Sequence, residues 1–369
     1  MTCHWARELA QFGHEVYGYT FAPDRDFEPE LNGARWRQAP SRSSWRRIVT
    51  LPLWVTRQCE LDDLDALICI STYPNLVGLA SRLLSKGPGK WRGTLMITEH
   101  NVPSLYRRLL GKRGTAKDWI CRLLYRYANG AVAVSHAVAT DLIGRYGVDP
   151  DHCFVVPNPV FTDSQAAFQR LEGPDRSKTL HVGFAGRITT QKRPLLFVHT
   201  LRVLIDQGYD VQGHVCGDGD LLDQMRERAY LDGVPIKFYG WSADWLDDLA
   251  HVIDCLLLPS YVEGLAMVLI EAASRKIPCV APSAALGVAD GIVPGITGTL
   301  ALSSTAEDLA SALLVALSLN TAGLPGWINR WTARSSTMAL LRTLELSEPP
   351  ASRSDPAADP QVVEPTHAR

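Results

Sequence analysis

The chain has 369 residues, of which 46% are hydrophobic and 21% charged, and its formal net charge is -2. This composition excludes a collagen-like, coiled-coil or wholly disordered chain, and the balanced charge excludes a globally basic nucleic-acid-binding protein. The charge is nevertheless unevenly spread, because residues 1–160 hold 20 Lys and Arg against 15 Asp and Glu, whereas residues 161–369 hold 17 against 24. A basic first half and an acidic second half predict two units with different partners.

The start of the chain is unusual for an α/β protein, because Trp5–Phe12 predicts a helix with no strand before it. No apolar segment near Met1 is typical of a secretory signal, and no apolar run reaches the length of a membrane span. The eight Cys include no C-x-x-C pair, which favours small core residues in a reducing compartment. We therefore expect a cytoplasmic protein without an essential metal.

The first half alternates short β-rich runs with helical patterns. The predicted strands are His14–Phe21, Ala66–Ser71, Gly93–Thr98 and Ala131–Ser135, and the helical patterns between them include Leu76–Leu84 and Asp118–Asn129. This alternation predicts βαβ units and a parallel sheet. The Pro-rich segment Val155–Val160 is typical of a domain boundary, so the first domain is expected to span residues 1–158.

The second half repeats the alternation. The predicted strands are Leu180–Ala185, Val211–Cys216, Ile236–Tyr239, Cys255–Leu258 and Cys279–Ala281, and the predicted helices are Arg193–Gln207, Leu221–Leu231, Trp245–Ile253, Leu265–Arg275, Ala306–Ser318 and Gly326–Leu346. They indicate a second doubly wound domain over residues 159–328, a closing helix over 329–346 and a disordered, Pro-rich tail over 347–369. In open α/β sheets, ligands bind at the carboxyl ends of the strands, so we expect a cleft between the two sheets.

The segment Pro259–Ala272 carries the most chemistry, since it follows a predicted buried strand and opens a helix. Gly264 permits a tight turn, and the next three backbone N–H groups would be free at a helix N-terminus, which suits a pyrophosphate. Glu263 precedes the helix and Glu271 lies two turns into it. A nucleoside-diphosphate sugar along this helix start would meet Glu263 at its sugar hydroxyls and Glu271 at its ribose. Two exposed helix glutamates are the alternative interpretation.

The segment Gly183–Pro194 predicts an anion site. A strand ends in Gly186 and Arg187, a polar loop follows, and Pro194 opens a helix. Arg187 and Lys192 would straddle an anion and stabilise the charge on a departing diphosphate. An ordinary solvated basic loop is the alternative, and the G-x-x-G spacing does not match the dinucleotide fingerprint.

Two further strand ends carry turn signals. Gly217 and Gly219 permit a tight strand-to-helix turn, with Asp220 as a helix cap. Trp241 follows the next strand, where it would either contact a base or belong to the core.

In this order, the four segments resemble glycosyltransferase family 4, the retaining GT-B enzymes that use nucleotide sugars. The resemblance runs from about Trp5 to Leu346 and is strongest over residues 180–300, where the E-x7-E, G-R…K-R-P and G-D-G motifs and a loop with Asp290 keep the family's order. It implies an α/β fold of GT-B architecture, with two Rossmann-like doubly wound domains facing each other across a cleft.

The resemblance also implies roles for individual residues. Arg187 and Lys192 would bind the donor phosphates, Glu263 would contact the sugar, and His100, just past a predicted strand, would contact the transferred sugar. For His100, a structural histidine is the alternative. The expected donor site comprises Gly186, Arg187, Lys192, Gly217, Gly219, Trp241, Glu263, Gly264, Leu265, Ala266, Met267 and Glu271, and the expected catalytic residues are His100, Glu263, Arg187 and Lys192.

The activity expected from the resemblance is transfer of a sugar, with retained configuration, from a UDP- or GDP-sugar to a glycan or lipid-linked acceptor. A nucleotide-sugar epimerase and a catalytically impaired donor-binding or scaffold protein remain as alternatives. Basic segments with aromatic residues, at Arg35–Arg37, Arg42–Arg47 and Tyr106–Arg113, favour peripheral attachment to an anionic membrane surface, against an ordinary solvated face.

The resemblance begins at a helix, whereas family members begin with a strand and a Gly-rich loop before it. That strand is normally central in the first sheet, so its absence predicts unpaired edges on the neighbouring strands. We therefore expect Met1 to be an internal start or the chain to be a fragment.

Overall fold

The computed structural model of the chain describes residues 2–21, 30–31, 33–40, 47–84, 91–162, 179–319 and 325–346. The predicted disordered tail at 347–369 and residues 42–46 of the second basic segment lie outside the described residues.

The first half contains the predicted alternation of strands and helices. Its elements are α1 (Thr2–Gln11), β1 (Val16–Thr20), β2 (Glu30–Leu31), β3 (Ala34–Gln38), α2 (Arg47–Leu61), β4 (Ala66–Ile70), α3 (Thr72–Leu84), β5 (Thr94–Glu99), α4 (Pro103–Leu109), α5 (Gly111–Leu124), β6 (Gly130–Ala133), α6 (His136–Tyr146) and β7 (Cys153–Val155). The sequence pattern does not predict α2, because Pro52 lies inside it and proline normally breaks a helix.

The sheet of the first half is in two pieces. Strands β4, β5, β6 and β7 form a parallel four-stranded sheet, while β1 pairs in parallel with β3, and β2 pairs antiparallel with β3. Within the described residues, β1 pairs only with β3 and β4 only with β5, so the unpaired edges expected from the sequence are present. The first half is therefore held together largely by helix and side-chain packing between its sheets.

The second half forms one continuous parallel sheet. Its elements are β8 (Leu180–Ala185), α7 (Pro194–Asp206), β9 (Val211–Cys216), α8 (Leu222–Leu231), β10 (Ile236–Gly240), α9 (Trp245–Leu249), β11 (Cys255–Leu257), α10 (Met267–Ser274), β12 (Cys279–Pro282), β13 (Gly298–Ala301), α11 (Ala306–Leu317), α12 (Pro325–Asn329) and α13 (Ala333–Leu346). The strand order β10-β9-β8-β11-β12-β13 is that of a doubly wound unit, as predicted.

Three predicted helices of the second half differ from their sequence patterns by more than one residue at an end or are divided. The helix predicted to end at Ile253 ends at Leu249, and the closing helix is divided into α12 and α13. The helix predicted from Leu265 begins at Met267, because Ala266 has a non-helical ψ of 80°. These shifts leave the order of the elements unchanged.

The last helix returns to the first half. The Trp5 indole Nε1 donates to Ser336 Oγ at 2.8 Å, and Ser336 donates to the carbonyl of Pro157 at 2.6 Å. Trp331, just before α13, packs in the core of the first half. Among the described helices, none is both long and apolar enough to cross a membrane.

Candidate functional site

The carboxyl ends of three adjacent strands in the second half are joined by their backbones. Gly186 N donates to Cys216 O at 3.0 Å and links the ends of β8 and β9. Gly217 N donates to Gly240 O at 2.7 Å and links the ends of β9 and β10. The loops that carry the predicted phosphate and base residues are thus positioned by main-chain contacts.

Gly217 and Gly219 allow two of these loops to touch. A Cβ added at Gly217 would lie 2.0 Å from the carbonyl oxygen of Gly186, and one added at Gly219 would lie 2.4 Å from that of Ile188. Neither position leaves room for a side chain without moving backbone. The G-D-G motif therefore holds the G-R loop in place, a packing role that the sequence pattern alone does not indicate.

An ion pair joins the two richest predicted motifs. Lys192 Nζ lies 2.8 Å from Glu263 Oε1, and both side chains are largely buried. Arg187, on the same loop, is exposed, and within the described residues its guanidinium meets no carboxylate. The predicted anion site thus contains one free cation and one that is neutralised by the predicted sugar-binding carboxylate.

The turn at Gly264 meets the first half of the chain at backbone level. A Cβ added at Gly264 would lie 2.0 Å from the carbonyl oxygen of His100, so only glycine fits this contact. Within the described part of the chain, the amides of Gly264, Leu265 and Ala266 donate no hydrogen bond, whereas the Met267 amide donates to Leu265 O at 3.0 Å. Three of these four predicted amides therefore have no hydrogen-bond acceptor within the described residues.

His100 lies at the end of β5, where it faces the second half. Its Nε2 is 3.1 Å from Thr98 Oγ1, and burial lowers the pKa of His100 to about 4 although the side chain of Asn158 opposes this shift. The imidazole is neutral at pH 7 and can donate or accept a hydrogen bond without carrying charge. Its neighbour Asn101 is 3.4 Å from Gln191 Nε2, which also donates to Val262 O at 2.9 Å.

A buried charge network lies beneath His100. Arg107 Nη2 is 3.1 Å from Glu99 Oε1, and Arg107 Nη1 is 3.3 Å from Asp118 Oδ1. Tyr125 donates a short hydrogen bond to Glu99, and burial raises the pKa of that carboxyl although Arg107 and the Tyr125 hydroxyl oppose the shift. Arg107 is thus an internal residue, which corrects its assignment to the predicted basic surface Tyr106–Arg113.

A cavity of about 200 Å³ opens beside this network. Its lining includes Tyr73, Glu99, His100, Tyr106, Arg107 and Lys117. All its lining residues belong to the first half, and they offer both hydrogen-bonding and cationic groups.

The two tryptophans after β10 have different environments. The side chain of Trp241, predicted to contact a base, is 73% exposed. Trp245, which sequence reasoning did not select, donates from Nε1 to Glu271 Oε2 at 2.6 Å. Burial raises the pKa of Glu271, while the bond from Trp245 and the charge of Lys192 oppose this shift. Glu271 is therefore a partly buried carboxylate with a side-chain partner rather than an exposed helix residue.

One contact from the loop after β12 also crosses the cleft. The Asp290 carboxylate accepts from His136 N at 2.7 Å and lies 2.8 Å from His136 Nδ1. Because His136 is the first residue of α6, Asp290 fills a helix N-terminal acceptor position from the other half of the chain. The sequence indicated Asp290 as a loop acid, but this partner depends on the folded arrangement.

Within the described residues, no group of three or more His, Cys, Asp or Glu side chains could hold a metal ion. The acidic residue Asp62 is instead paired with Arg37 at 2.6 Å. Independence from metal remains a prediction.

Two models of known protein families together match most of the chain. The sequence model of Glycosyltransferase Family 4 matches residues 1–164, and that of Glycosyl transferases group 1 matches residues 179–318. The two matches fall on the two halves described above.

Curated relatives include three bacterial transferases. A lipopolysaccharide 1,6-galactosyltransferase of Salmonella typhimurium is 29% identical over 195 residues, which are 51% of this chain and 52% of the relative. A D-inositol 3-phosphate glycosyltransferase of Paenarthrobacter aurescens is 31% identical over 51% of this chain and 49% of its own. A UDP-Gal:alpha-D-GlcNAc-diphosphoundecaprenol alpha-1,3-galactosyltransferase of Escherichia coli is 26% identical over 36% of this chain and 37% of its own. The chain thus aligns with about half, or less, of the length of these curated relatives.

Solved structures share the whole fold. The apo form of the lipopolysaccharide outer core galactosyltransferase WaaB superposes with a TM-score of 0.75 at 21% identity and covers 93% of each chain. HepE from Anabaena, in complex with UDP and glucose, superposes with a TM-score of 0.68 at 16% identity and covers 93% of this chain and 95% of its own. These likenesses confirm the predicted GT-B architecture. With both family models matched in order on a GT-B fold, the chain belongs to glycosyltransferase family 4.

Proposed function

We propose that the chain is a retaining glycosyltransferase that moves a sugar from a nucleoside-diphosphate sugar to a glycan or lipid-linked acceptor. The observation that carries this proposal is the Lys192–Glu263 ion pair, at 2.8 Å, placed between the exposed Arg187 and the turn at Gly264. These groups follow the carboxyl ends of two adjacent strands, β8 and β11. Together, a cation, a carboxylate and backbone amides without acceptors suit a diphosphate with a sugar attached.

Donor binding would exchange the partners of these groups. Lys192 would turn from Glu263 to the diphosphate, and Glu263 would accept hydrogen bonds from the sugar hydroxyls. Arg187 would add a second cation, and the amides of Leu265 and Ala266 would bind the sugar or the diphosphate. The UDP and glucose named with the HepE structure support UDP as the first nucleotide to test, with GDP as the alternative.

The first half would supply the acceptor side. His100, neutral at pH 7, would hydrogen-bond the transferred sugar, and the cavity beside Glu99 and Lys117 would hold the acceptor glycan. Names of relatives that act on lipopolysaccharide and on a diphosphoundecaprenol-linked sugar favour a place in cell-surface polysaccharide or lipopolysaccharide synthesis.

The proposed reaction needs positioning and electrostatics rather than a covalent protein intermediate. The acceptor hydroxyl would attack the anomeric carbon on the face that the diphosphate leaves, and the departing phosphate would take the hydroxyl proton. Arg187 and Lys192 would stabilise the negative charge that develops on the diphosphate. Closure around the Gly264–His100 contact would exclude water and limit hydrolysis of the donor.

Nucleotide-sugar screening by thermal stabilisation tests the donor site. A ligand at 100 times its dissociation constant adds about 2.7 kcal/mol to the free energy of unfolding. We expect one nucleotide sugar to raise the Tm of the wild type and to raise that of Glu271→Ala much less. A screen in which no nucleotide sugar shifts the wild type, or in which Glu271→Ala shifts equally, contradicts the proposed site.

Product analysis separates transfer from the alternatives. A transferase releases nucleoside diphosphate only when an acceptor is present and yields a glycoside of unchanged anomeric configuration. An epimerase would interconvert nucleotide sugars without an acceptor, and an impaired donor-binding protein would bind the nucleotide sugar without either reaction.

We also propose that the first half attaches peripherally to an anionic membrane on its cytoplasmic face. Helix α5 and the turn after it expose four large apolar side chains: Trp119, Ile120, Leu123 and Tyr127. Arg122 and Arg126 are exposed between them. Aromatic and aliphatic side chains interleaved with arginine suit the interface of a bilayer rich in anionic headgroups.

Vesicle sedimentation tests this attachment. The wild type should bind phosphatidylglycerol vesicles at low salt, and the variant Trp119→Ser/Leu123→Ser should not. The matched control is Tyr230→Ser/Leu231→Ser, two exposed apolar residues of the second half, which should bind like the wild type. Absence of wild-type binding at low salt, or equal loss in both variants, would overturn the membrane proposal and leave the donor site untouched.

A further inference from the structure

Trp245 is a partly buried hydrogen-bond donor to the carboxylate predicted to bind ribose. It opens α9 directly after the loop that follows β10, and its Nε1 lies 2.6 Å from Glu271 Oε2. Within the described part of the chain, this indole is the one side chain that donates a hydrogen bond to the Glu271 carboxylate. Lys192 also acts on Glu271, through its positive charge.

The chemistry of this contact is asymmetric. An indole N–H donates a hydrogen bond and cannot accept one. Trp245 therefore favours the ionised form of the Glu271 carboxylate and accepts no hydrogen bond from the ribose hydroxyls. A carboxylate has about four acceptor positions on two oxygens, and the indole uses one of them. The remaining positions match the two adjacent hydroxyls of a ribose, each of which needs an acceptor.

The Trp245 indole is held in place by packing and not only by its hydrogen bond. Trp245 packs against the apolar cluster between α9 and α10, and Arg275 of the α10 C-terminus lies 2.9 Å from Asp247 of α9. The two helices are therefore joined independently of the indole N–H. Removing that N–H while keeping an aromatic ring should leave α9 in place.

We propose that Trp245 is a positioning residue for the nucleotide, which keeps Glu271 ionised and fixes the rotation of its carboxylate so that the free acceptor positions bind the 2′- and 3′-hydroxyls of the ribose. The proposal rests on the donor site described under the proposed function. It assigns ribose selectivity to a pair of residues, Trp245 and Glu271, rather than to the glutamate alone.

Comparison of UDP with 2′-deoxy-UDP measures this role directly. Their dissociation constants are determined by calorimetry for the wild type, Trp245→Phe, Tyr230→Phe and Glu271→Gln, with GDP and 2′-deoxy-GDP used instead if GDP stabilises the wild type more. Tyr230→Phe is the matched control, because it also removes a hydrogen-bond donor while keeping an aromatic ring, and Tyr230 is exposed on α8, outside the donor site.

The wild type should prefer UDP over its deoxy analogue by on the order of tenfold, as expected for one hydrogen bond to a charged group. Trp245→Phe should reduce this preference to about threefold or less while binding 2′-deoxy-UDP nearly as well as the wild type, since the hydrogen bond at stake is to the missing hydroxyl. Tyr230→Phe should keep the wild-type preference.

A pH series supplies a second measurement. Without its donor, Glu271 should take up a proton more readily, so the affinity for UDP should fall more steeply in Trp245→Phe than in the wild type as the pH is lowered from 8 to 6. A purely structural role for Trp245 predicts equal losses for both nucleotides and no new pH dependence.

The Glu271→Gln variant separates the role of Trp245 from the ribose assignment of Glu271. If Glu271→Gln loses the preference for UDP but Trp245→Phe keeps it, Trp245 has no positioning role and the site stands. If Glu271→Gln also keeps the preference, the ribose assignment of Glu271 is wrong, and the inference falls with it.

Discussion

The two sides of the cleft are held in place by different interactions. In the second half, the loops after β8, β9 and β10 are joined by main-chain hydrogen bonds through Gly186, Gly217 and Gly240. In the first half, the sheet is divided, and the residues beneath His100 are held by the buried pair of Glu99 and Arg107. A backbone contact is sensitive to added volume, whereas a charge network is sensitive to loss of one partner. The following predictions test this difference.

The largest expected effect comes from Arg107→Met. It leaves Glu99 buried without a cation, and breaking a buried pair in this way typically costs about 3–5 kcal/mol of unfolding free energy. Urea denaturation measures the loss. The exposed neighbour Arg108 provides the control, since Arg108→Met should change stability by no more than about 0.5 kcal/mol. Similar losses in both variants would show that the network does not hold the first half together.

Lys192→Ala tests the point at which the second half also uses charge. Loss of one cation that stabilises developing negative charge should reduce transfer by about 10²–10³-fold. The variant should also be less stable, because Glu263 is 5% exposed and loses its partner. Combining it with Glu263→Gln should restore stability without restoring transfer. Full recovery of transfer in the double variant would exclude a catalytic role for Lys192.

Gly217→Ala adds volume to the backbone-joined loops. Its Cβ would lie 2.0 Å from Gly186 O, so the loops must move, at a cost of about 1–3 kcal/mol that urea denaturation detects. Gly144→Ala in α6 is the control, because a Cβ there meets no atom within 4 Å, and it should stabilise the helix by up to about 1 kcal/mol. A neutral Gly217→Ala would show that these loops are compliant.

The pH dependence of stability should be similar on both sides. Burial lowers the pKa of His100 and of His214 to about 4 from a usual value of 6.5. Between these values the unfolded chain binds more protons, so stability falls as the pH drops from 6.5 towards 4 and is unaffected by these groups above 6.5. His214→Gln should reduce the loss between pH 7.5 and 5.5 by about 1 kcal/mol. An unchanged acid-side slope in urea denaturation would contradict this assignment.

Local patterns predicted those parts of the site that depend on local chemistry. Strand ends followed by glycine and charged residues indicated the loops with Arg187, Lys192 and Glu263, because strand–loop–helix order is written in nearby residues. The same reasoning placed His100 at a strand end that faces the cleft. It misplaced the start of α10, since the backbone of Ala266 is not helical and the helix begins at Met267.

The contacts that local patterns could not predict join residues far apart in the chain. Trp245 meets Glu271, Gln191 meets Asn101, and Asp290 meets His136, and none of these pairs shares a motif. Patterns of charge also mislead where a side chain turns inwards. The segment Tyr106–Arg113 suggested a basic surface, yet Arg107 is buried and pairs with Glu99.

Gly264 has a consequence for how the specificity of the cleft could diversify. Gly264 meets His100 through backbone atoms, which are the same whatever the side chain. A larger residue at position 264 would push the two halves apart, so the shape of the cleft cannot be changed locally at this position. Variation in sugar and acceptor choice must therefore come from side chains around this point, such as Met267 and those lining the cavity at Lys117. A mutant library screened for altered substrate specificity should keep Gly264 unchanged and randomise the residues around it.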